Sequence, residues 1–593
     1  MSFRADRIYL EFLRLTRRLS NQQIMMLLAV MVGVLAGLGT YLFEMLLHGI
    51  KSGLIRWFPV DSAHILFLIY PAVGIILATL FVKYIVRDNI SEGVTRVLYA
   101  MSRRNSRIAR HNCWTSIVGG ATTIGFGGSV GPEAPIVLTG AAIGSNIGRL
   151  ARLNYKHTTL LLCCGAGAAL AAIFKAPITG VVFVLEILML DITAGSVIPL
   201  LIASITATTM AFMLRGFDPI LAVTLAPADA FELWQIPLFI LLGVLCGLMA
   251  WYFTSMNSRV GGFFKSIDKQ YKKWLWGGAI LGILIFVFPP LYGEGYEGFT
   301  SLMHGNAQEL FKNSLFYRFR DIDWVIILFV IATMFFKVIA MSTTNAAGGV
   351  GGTFAPSLFV GAFTGASLAL VCNTLFGWEV SIVSFTLVGM AGVMSGVMKA
   401  PLTSIFLIAE LSNGYGLFIP LMITACISFA VDYYLDPDSI YTKQLRQRGE
   451  LLTHDKDQSV FVFLKLDELM ETDFLRIKEN FTLGDIVHII STARRNIFPV
   501  IDNFGRLLGV VQLDDLREDM FKREKYGHPI SDYMIQPPDR ILEHEAIQSV
   551  IQKFEDKHTW MLPVVDKQNR YLGFISKSRI LNAYREQLVK IQQ

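Results

Sequence analysis

The chain has 593 residues, of which 53% are hydrophobic and 17% are charged, and its formal net charge is +6. Soluble domains carry roughly 25% charged residues, so this composition excludes an ordinary soluble protein and indicates a membrane protein. The small, scattered positive charge gives no support for a nucleic-acid partner. The cysteines show neither CxxC nor Cys/His spacing, so we expect no metal site and no disulfides.

Residues 1–20 form a basic, amphipathic arm before the first apolar run. Its arginines are Arg4, Arg7, Arg14, Arg17 and Arg18. Positive charge beside a membrane segment favours the cytoplasmic side, so we expect a cytoplasmic N-terminus. Because the charged arm precedes the apolar run, we predict no cleavable signal peptide.

Residues 21–441 contain many hydrophobic segments. Some reach the roughly 20 residues that a spanning helix needs, and others are shorter or are interrupted by glycine. The shorter segments predict re-entrant or half-length helices. This region is therefore predicted to be an all-α polytopic membrane domain.

A glycine-rich turn, residues 127–135, precedes a helix-like run within this region. Glycine lets a turn expose several backbone N–H groups, and the positive end of the following helix adds roughly half an elementary charge, so the turn suits an anion. Within it, Glu133 could occupy the place of a permeating anion and leave when protonated or displaced, which would make it a gate. The alternative is that Glu133 only caps its own helix.

Two parts of the membrane region repeat. The segment 175–186 recurs as 399–410, and the turn at 127–135 recurs at 348–356, so both repeats have nearly the same separation along the chain. A duplicated polytopic unit indicates a transport pathway between its two halves. Each copy of the segment begins with a lysine and ends with a glutamate. We expect these four residues to have structural roles: Lys175, Glu186, Lys399 and Glu410.

A polar linker, residues 442–459, separates the membrane region from a soluble tail. The tail also repeats itself, because the apolar strand, polar turn and second apolar strand that begin at Pro499 recur from Pro563. The two copies, 460–522 and 523–593, alternate strand and helix patterns. They predict a small α/β domain built from two similar units.

Three motifs resemble the CLC family of chloride channels and chloride/proton exchangers. Gly131-Pro132-Glu133-Ala134-Pro135 resembles the family's G-[KR]-E-G-P segment, Gly352-Thr353-Phe354-Ala355-Pro356 resembles its G-x-F-x-P segment, and Tyr441 matches its ion-contacting tyrosine. The resemblance implies chloride as the transported ion, no required cofactor, an inverted repeat, and a homodimer with one pore per subunit. It also implies cytoplasmic termini, and we expect the plasma membrane as the location.

The resemblance further implies an anion site made of backbone amides and a hydroxyl group. The expected residues are Gly93, Val94, Gly131, Thr353, Phe354 and Tyr441, with Glu133 as the gate.

One motif departs from the family pattern. The family's G-S-G-I-P segment corresponds best to residues 91–95, in which Glu92 replaces the family's serine. A carboxylate repels a neighbouring chloride by about 1 kcal/mol even in water, so Glu92 must be turned away, protonated or part of an altered selectivity. Fluoride therefore stays open as a substrate. Ser91 could supply the lost hydroxyl, although its register differs by one residue.

A second departure concerns protons. Proton-coupled members of the family often carry a further glutamate directly after the position of Glu186, and here that residue is Ile187. An isoleucine cannot carry a proton. We therefore expect passive anion conduction through a channel, with a chloride/proton antiporter as the alternative.

The soluble tail resembles a tandem CBS pair, a cytoplasmic module that often binds adenine nucleotides between its halves. An acidic residue at the start of the closing helix holds the ribose in that family, and Asp515 matches it in the first unit, whereas the second unit has Arg579. The tail would then regulate transport, or it would only mediate dimerisation. A nucleotide sensor with little transport is a further alternative. The sequence contains no Ser/His/Asp set or P-loop, so we expect no enzymatic activity.

Overall fold

The computed structural model describes residues 20–57, 63–91, 93–103, 106–189, 193–217, 231–304, 306–412, 414–447, 466–493, 495–545 and 547–592. The chain divides into two compact units, Met1–Leu451 and Leu452–Gln593. Nearly all of the predicted N-terminal arm, most of the predicted linker and Glu92 lie outside the described residues.

The first unit is built from α-helices. In chain order they are α1 (Asn21–Trp57), α2 (Ala63–Leu80), α3 (Gly93–Arg103), α4 (Asn112–Gly125), α5 (Glu133–Leu150), α6 (Tyr155–Phe174), α7 (Pro177–Glu186), α8 (Ala194–Arg215), α9 (Ile236–Lys265), α10 (Gln270–Val287), α11 (Tyr296–Met303), α12 (Asp323–Ala347), α13 (Phe354–Phe376), α14 (Ile382–Met398), α15 (Pro401–Leu411), α16 (Phe418–Leu435) and α17 (Ile440–Gln447). A π-helical turn, Phe81–Val86, extends α2, and short 3₁₀ turns cover Leu233–Gln235, Pro289–Leu291, Ala307–Phe311 and Tyr317–Phe319.

Among the described residues, 8 helices are long and apolar enough to cross a membrane. Three further apolar helices are shorter, with 10 to 17 residues, and these are α7, α14 and α15. The short helices agree with the predicted half-length segments. The predicted fold class of a helical, polytopic membrane domain is thereby confirmed.

The repeat is visible in how the helices pack. A Cβ atom at Gly140 of α5 would lie 2.1 Å from the Gly165 carbonyl oxygen of α6, and one at Gly361 of α13 would lie 2.3 Å from the Gly389 carbonyl oxygen of α14. Only glycine allows two helix backbones to approach this closely. Each half of the membrane unit therefore contains the same tightly crossed helix pair.

Hydrogen bonds between α7 and α15 give the relative direction of the two halves. The carboxylate of Glu186, at the end of α7, accepts hydrogen bonds from the Thr403 N–H at 2.7 Å and the Thr403 hydroxyl at 2.7 Å, at the start of α15. Conversely, Glu410 near the end of α15 accepts from the Thr179 N–H at 2.8 Å and the Thr179 hydroxyl at 2.6 Å. The end of each helix meets the start of the other, so the two helices are antiparallel, as an inverted repeat requires.

The paired lysines have structural contacts of different kinds. Lys399 forms an ion pair with Asp432 of α16, whose side chain is fully buried. Its counterpart Lys175 donates a hydrogen bond to the carbonyl oxygen of Gly216 at 2.8 Å. These contacts fit the structural role predicted for the four residues. The glutamates bind helix N-termini, whereas Lys399 binds a carboxylate and Lys175 binds a carbonyl oxygen.

The second unit contains two similar three-stranded sheets. Its elements are α18 (Leu466–Leu469), β1 (Ile477–Lys478), α19 (Leu483–Ile490), β2 (Ile497–Ile501), β3 (Leu507–Gln512), α20 (Leu513–Leu516), β4 (Ile541–Leu542), α21 (Ile547–Asp556), β5 (Met561–Val565), β6 (Tyr571–Ser576) and α22 (Lys577–Gln592), with 3₁₀ turns at Arg523–Lys525 and Ile530–Tyr533. The strand orders are β1-β2-β3 and β4-β5-β6, with a parallel first pair and an antiparallel second pair in both sheets.

The two sheets share a hydrophobic core. Its buried members come from both copies: Phe474, Leu507, Val510, Val565, Tyr571 and Phe574. Reciprocal backbone hydrogen bonds of 2.9 Å between Val510 and Ile535 also join the copies. Neither sheet alone would bury this surface, which explains why the unit is duplicated.

Candidate functional site

The two glycine-rich turns meet in the buried interior of the first unit. The Gly131 N–H donates to the Gly352 carbonyl oxygen at 3.0 Å, and the Gly352 N–H donates to the Gly131 carbonyl oxygen at 2.7 Å. Helix α5 begins shortly after Gly131, at Glu133, and α13 begins shortly after Gly352, at Phe354. The pairing therefore brings two helix N-termini together, and their partial positive charges favour an anion between them.

The carboxylate of Glu133 lies at this meeting point. The residue is only 2% exposed. Its Oε1 accepts a hydrogen bond of 2.8 Å from the backbone N–H of Ala355, in the first turn of α13. Its Oε2 is buried and has no hydrogen-bond partner among the described residues. The side chain thus reaches across to the helix of the other half and places a carboxyl group where the two N-termini would hold an anion.

Two glycines make room for this carboxylate. A Cβ atom would lie 2.1 Å from Glu133 Oε2 if built on Gly131, and 2.6 Å from the same oxygen if built on Gly352. The anion-binding N–H predicted at Gly131 needs correction, because that N–H is already bonded to Gly352. Gly131 instead pairs the two turns and leaves space for Glu133.

A cavity of about 600 Å³ opens beside the meeting point. Among the predicted site residues it is lined by Ser91, Gly93, Val94, Thr353 and Tyr441. These residues come from α3, α17 and the turns before α3 and α13. The structure therefore brings together five predicted residues that lie in three distant parts of the chain.

The start of α3 also lies at this meeting point. A Cβ atom at Gly93 would lie 2.1 Å from the carbonyl oxygen of Ala134, so α3 and α5 begin in direct backbone contact. The anion-binding role of the Phe354 amide stays a prediction, and the buried ring of the same residue stacks on Phe174 with 5.4 Å between the centroids. Its ring fixes the start of α13 against the core.

The predicted substitute for the missing serine is not available in this conformation. The Ser91 hydroxyl donates to Asn89 Oδ1 at 2.6 Å, so its proton is already used in a hydrogen bond. Glu92 lies outside the described residues.

The position of the absent proton relay is buried and apolar. Ile187 directly follows the last residue of α7 and is 5% exposed. Its neighbour Glu186 is fully engaged at the N-terminus of α15, where its carboxylate also accepts from the Leu402 N–H at 3.0 Å. The end of α7 therefore carries a glutamate that caps the N-terminus of α15, followed by an isoleucine that cannot carry a proton.

The second unit has a separate, smaller cavity of about 160 Å³. Ligand pockets are usually about 300 Å³ or larger. It is lined by Asp473, Leu475, Thr492, Ala493, Arg495 and Phe498. Arg495 is paired with Glu471 at 2.7 Å, and Asp515, the expected ribose contact, is exposed on α20 and is not part of the lining.

Metal ligation has no candidate in the part of the chain that the structure describes, since no group of three or more His, Cys, Asp or Glu residues is close enough to hold an ion.

Comparisons with known proteins identify the family of each unit. The model of the "Voltage gated chloride channel" family matches residues 73–433, and the model of the CBS domain matches residues 466–522 and 530–586. A ClcB-like chloride channel protein of Ralstonia nicotianae is 27% identical over 392 residues, which cover 65% of this chain and 87% of that protein. The H(+)/Cl(-) exchange transporter ClcA of Vibrio vulnificus is 28% identical over 419 residues, which cover 67% of this chain and 84% of that protein.

Among solved structures, a eukaryotic CLC transporter aligns with a TM-score of 0.60 and 17% identity, covering 94% of this chain and 99% of that one. At this identity the likeness concerns the fold alone. It extends over both units of the chain.

Proposed function

Because the chain belongs to the voltage gated chloride channel family and is a multi-pass anion transporter of that family, we propose that it moves chloride across a membrane in exchange for protons. Proton-coupled exchange replaces the expectation of a passive channel, which was based on Ile187. Relatives at 27–28% identity are named as H(+)/Cl(-) exchange transporters, and this supports coupling to protons. A homodimer with one ion pathway per subunit remains part of the proposal.

The observation that carries the proposal is the hydrogen bond between the Glu133 carboxylate and the Ala355 N–H. An ionised carboxylate competes with chloride for the positive ends of α5 and α13, because both are anions. When the carboxylate takes up a proton it loses its charge and leaves the amide, and chloride can then enter. Return of the side chain releases the proton and expels the chloride, so one group couples the two ions.

The passive channel is the second candidate, and Ile187 favours it. Exchange requires a proton to reach Glu133 from both sides of the membrane. Without an acid at residue 187, that proton must travel by another group or by water. A channel requires only that Glu133 open and close the anion pathway.

A flux measurement separates the two candidates. Purified protein is placed in chloride-loaded liposomes, and chloride and proton movements are recorded together. Exchange predicts that a chloride gradient drives protons uphill, and that Glu133→Gln keeps chloride movement but abolishes the proton movement. Chloride flux without any driven proton movement in the wild-type protein would refute exchange and leave the channel.

The second unit is proposed to regulate transport from the cytoplasm, which is the side that the family resemblance implies for both termini. The proposed location is the plasma membrane. CBS domains commonly bind adenine nucleotides, and Asp515 is the proposed ribose contact in the first copy. Calorimetric titration of the full chain with ATP and AMP tests this. Binding without any flux in liposomes would favour the nucleotide-sensing alternative over transport.

A further inference from the structure

The cavity beside Glu133 is bordered by one face of α12 that carries polar side chains. Helix α12 is apolar over most of its length but ends in the run Ser342-Thr343-Thr344-Asn345. Residues three apart on a helix lie on the same face, and Ser342 and Asn345 both line the cavity. Thr343 and Thr344 lie on other faces and are not part of its lining.

These two side chains have polar atoms without hydrogen-bond partners. Ser342 Oγ and Asn345 Oδ1 are buried and bind nothing among the described residues. The Asn345 Nδ2 contacts only the thioether sulfur of Met341, at 3.7 Å, which is a weak acceptor. The oxygen and nitrogen of an amide can exchange places by a flip, so Asn345 can turn its NH₂ group to the cavity at little cost.

Two hydroxyl groups of the same cavity, both on α9, are already satisfied, whereas Thr353 Oγ1 is, like Ser342 Oγ, without a partner among the described residues. On α9, Ser258 donates to the Thr254 carbonyl oxygen at 3.0 Å, and Thr254 donates to the Trp251 carbonyl oxygen at 3.1 Å. Ser342 makes no such bond to its own helix within the described residues. Its proton is therefore available to an occupant of the cavity, and most buried polar groups in proteins do have a hydrogen-bond partner.

The charges around the cavity favour an anion as that occupant. Lys265, Lys273 and Lys443 are among the lining residues, and the described lining contains no Asp or Glu. Lys443 is paired with Asp436, whereas Lys265 and Lys273 form no ion pair within the described ranges. Glu92 lies outside those ranges. A hydroxyl, an amide NH₂ and nearby ammonium groups together match a small monovalent anion.

We propose that Ser342 and Asn345 form a side-chain binding position for chloride in this cavity, one step along the pathway from Glu133. The inference rests on the proposed transport function. This position supplies a hydroxyl group in place of the serine that the first motif lacks. Ser91 does not supply it, because its hydroxyl is bonded to Asn89. The cavity also includes Gly352 and Thr353, directly before α13, so an anion held there is next to the place that the Glu133 carboxylate occupies.

Chloride binding to the full-length protein in detergent micelles, measured by calorimetry, tests the position. Ser342→Ala and Asn345→Leu should each raise the Kd for chloride several-fold, and Ser342→Thr, which keeps the hydroxyl, should bind as the wild type does. Thr343→Val is the matched control, because its Oγ1 is also buried without a partner among the described residues but does not line the cavity. An unchanged Kd in the first two variants, or an equal loss in the control, overturns the proposal.

A second measurement guards against misfolded variants. Crystals of the wild-type protein soaked in bromide should show anomalous density within hydrogen-bond distance of Ser342 Oγ, and water alone at that place overturns the proposal. The transport function and the chloride-binding position can be refuted separately. Weakened binding in the variants with no wild-type flux in liposomes would refute transport but keep the site, whereas normal flux with unchanged binding would refute only the site.

Discussion

Replacing Gly352 by alanine should remove the Glu133 carboxylate from its position without altering its chemistry. The added methyl group would lie 2.6 Å from Glu133 Oε2, whereas real Cβ contacts shorter than 3.0 Å are essentially unknown. The obstacle is the end of a flexible side chain, so the carboxylate moves and the backbone remains in place. Gly352 is not among the glycines with a positive φ, so alanine adds no backbone strain there.

The size of the effect follows from the bond that is lost. The carboxylate must retreat from the Ala355 N–H, to which it is bonded at 2.8 Å. A hydrogen bond to a charged group contributes about 1.5–3 kcal/mol. Since about 1.4 kcal/mol corresponds to a factor of ten, the ratio of displaced to bound carboxylate should rise about 10- to 150-fold.

Chloride uptake into liposomes at neutral and at mildly acidic pH measures this displacement. Wild-type uptake should rise on acidification as Glu133 takes up a proton, whereas Gly352→Ala should be fast at both pH values. The control is the same substitution in a Glu133→Gln background, where it should change nothing further. An equal effect in that background would refute the reasoning, because the methyl group would then act on Ala134, whose backbone nitrogen lies 3.1 Å away.

Two further predictions concern stability. Lys399→Met leaves the buried Asp432 without its ion-pair partner and should cost about 3–5 kcal/mol, whereas the double variant Lys399→Met/Asp432→Leu leaves no unpaired buried charge and should cost less. Equal losses for the two variants in thermal unfolding followed by tryptophan fluorescence would contradict this. In the second unit, a hydrogen bond from Lys525 lowers the pKa of Asp519 to about 2, so its ionised form stabilises the fold above about pH 4 and this stability is lost as the pH falls towards 2. Asp519→Asn should therefore lower the Tm of residues 452–593 at neutral pH but not near pH 2, and circular dichroism giving the same difference at both would contradict it.

The repeats made much of this architecture predictable. The recurrence of the glycine-rich turn in the second half indicated a pathway between the two halves, and the two turns do pair with each other at the starts of α5 and α13. In the tail, the internal repeat anticipated two similar α/β units, and Pro499 and Pro563 occupy equivalent strand positions in them. A duplicated sequence indicates that two elements have similar structures, and this similarity largely determines how they pair.

The contacts inside the site were less predictable. The sequence does not show that Glu133 would bind the Ala355 N–H, because this depends on how far one side chain reaches. It suggested a binding role for the Gly131 N–H because a glycine-rich turn does not reveal which of its amides are used by a neighbouring turn. The polar run at the end of α12 was a visible signal for Ser342, but its face became clear only from the packing.

The crossed hydrogen bonds of α7 and α15 also constrain the order of assembly during synthesis. The partners of the Glu186 carboxylate, Leu402 and Thr403, belong to the second half of the membrane unit and are made much later. When α7 leaves the ribosome, the group that caps its N-terminus and the helix that its own glutamate caps do not yet exist. The first half therefore enters the membrane with these bonds unmade, and insertion of the second half completes both ends of the pair at once.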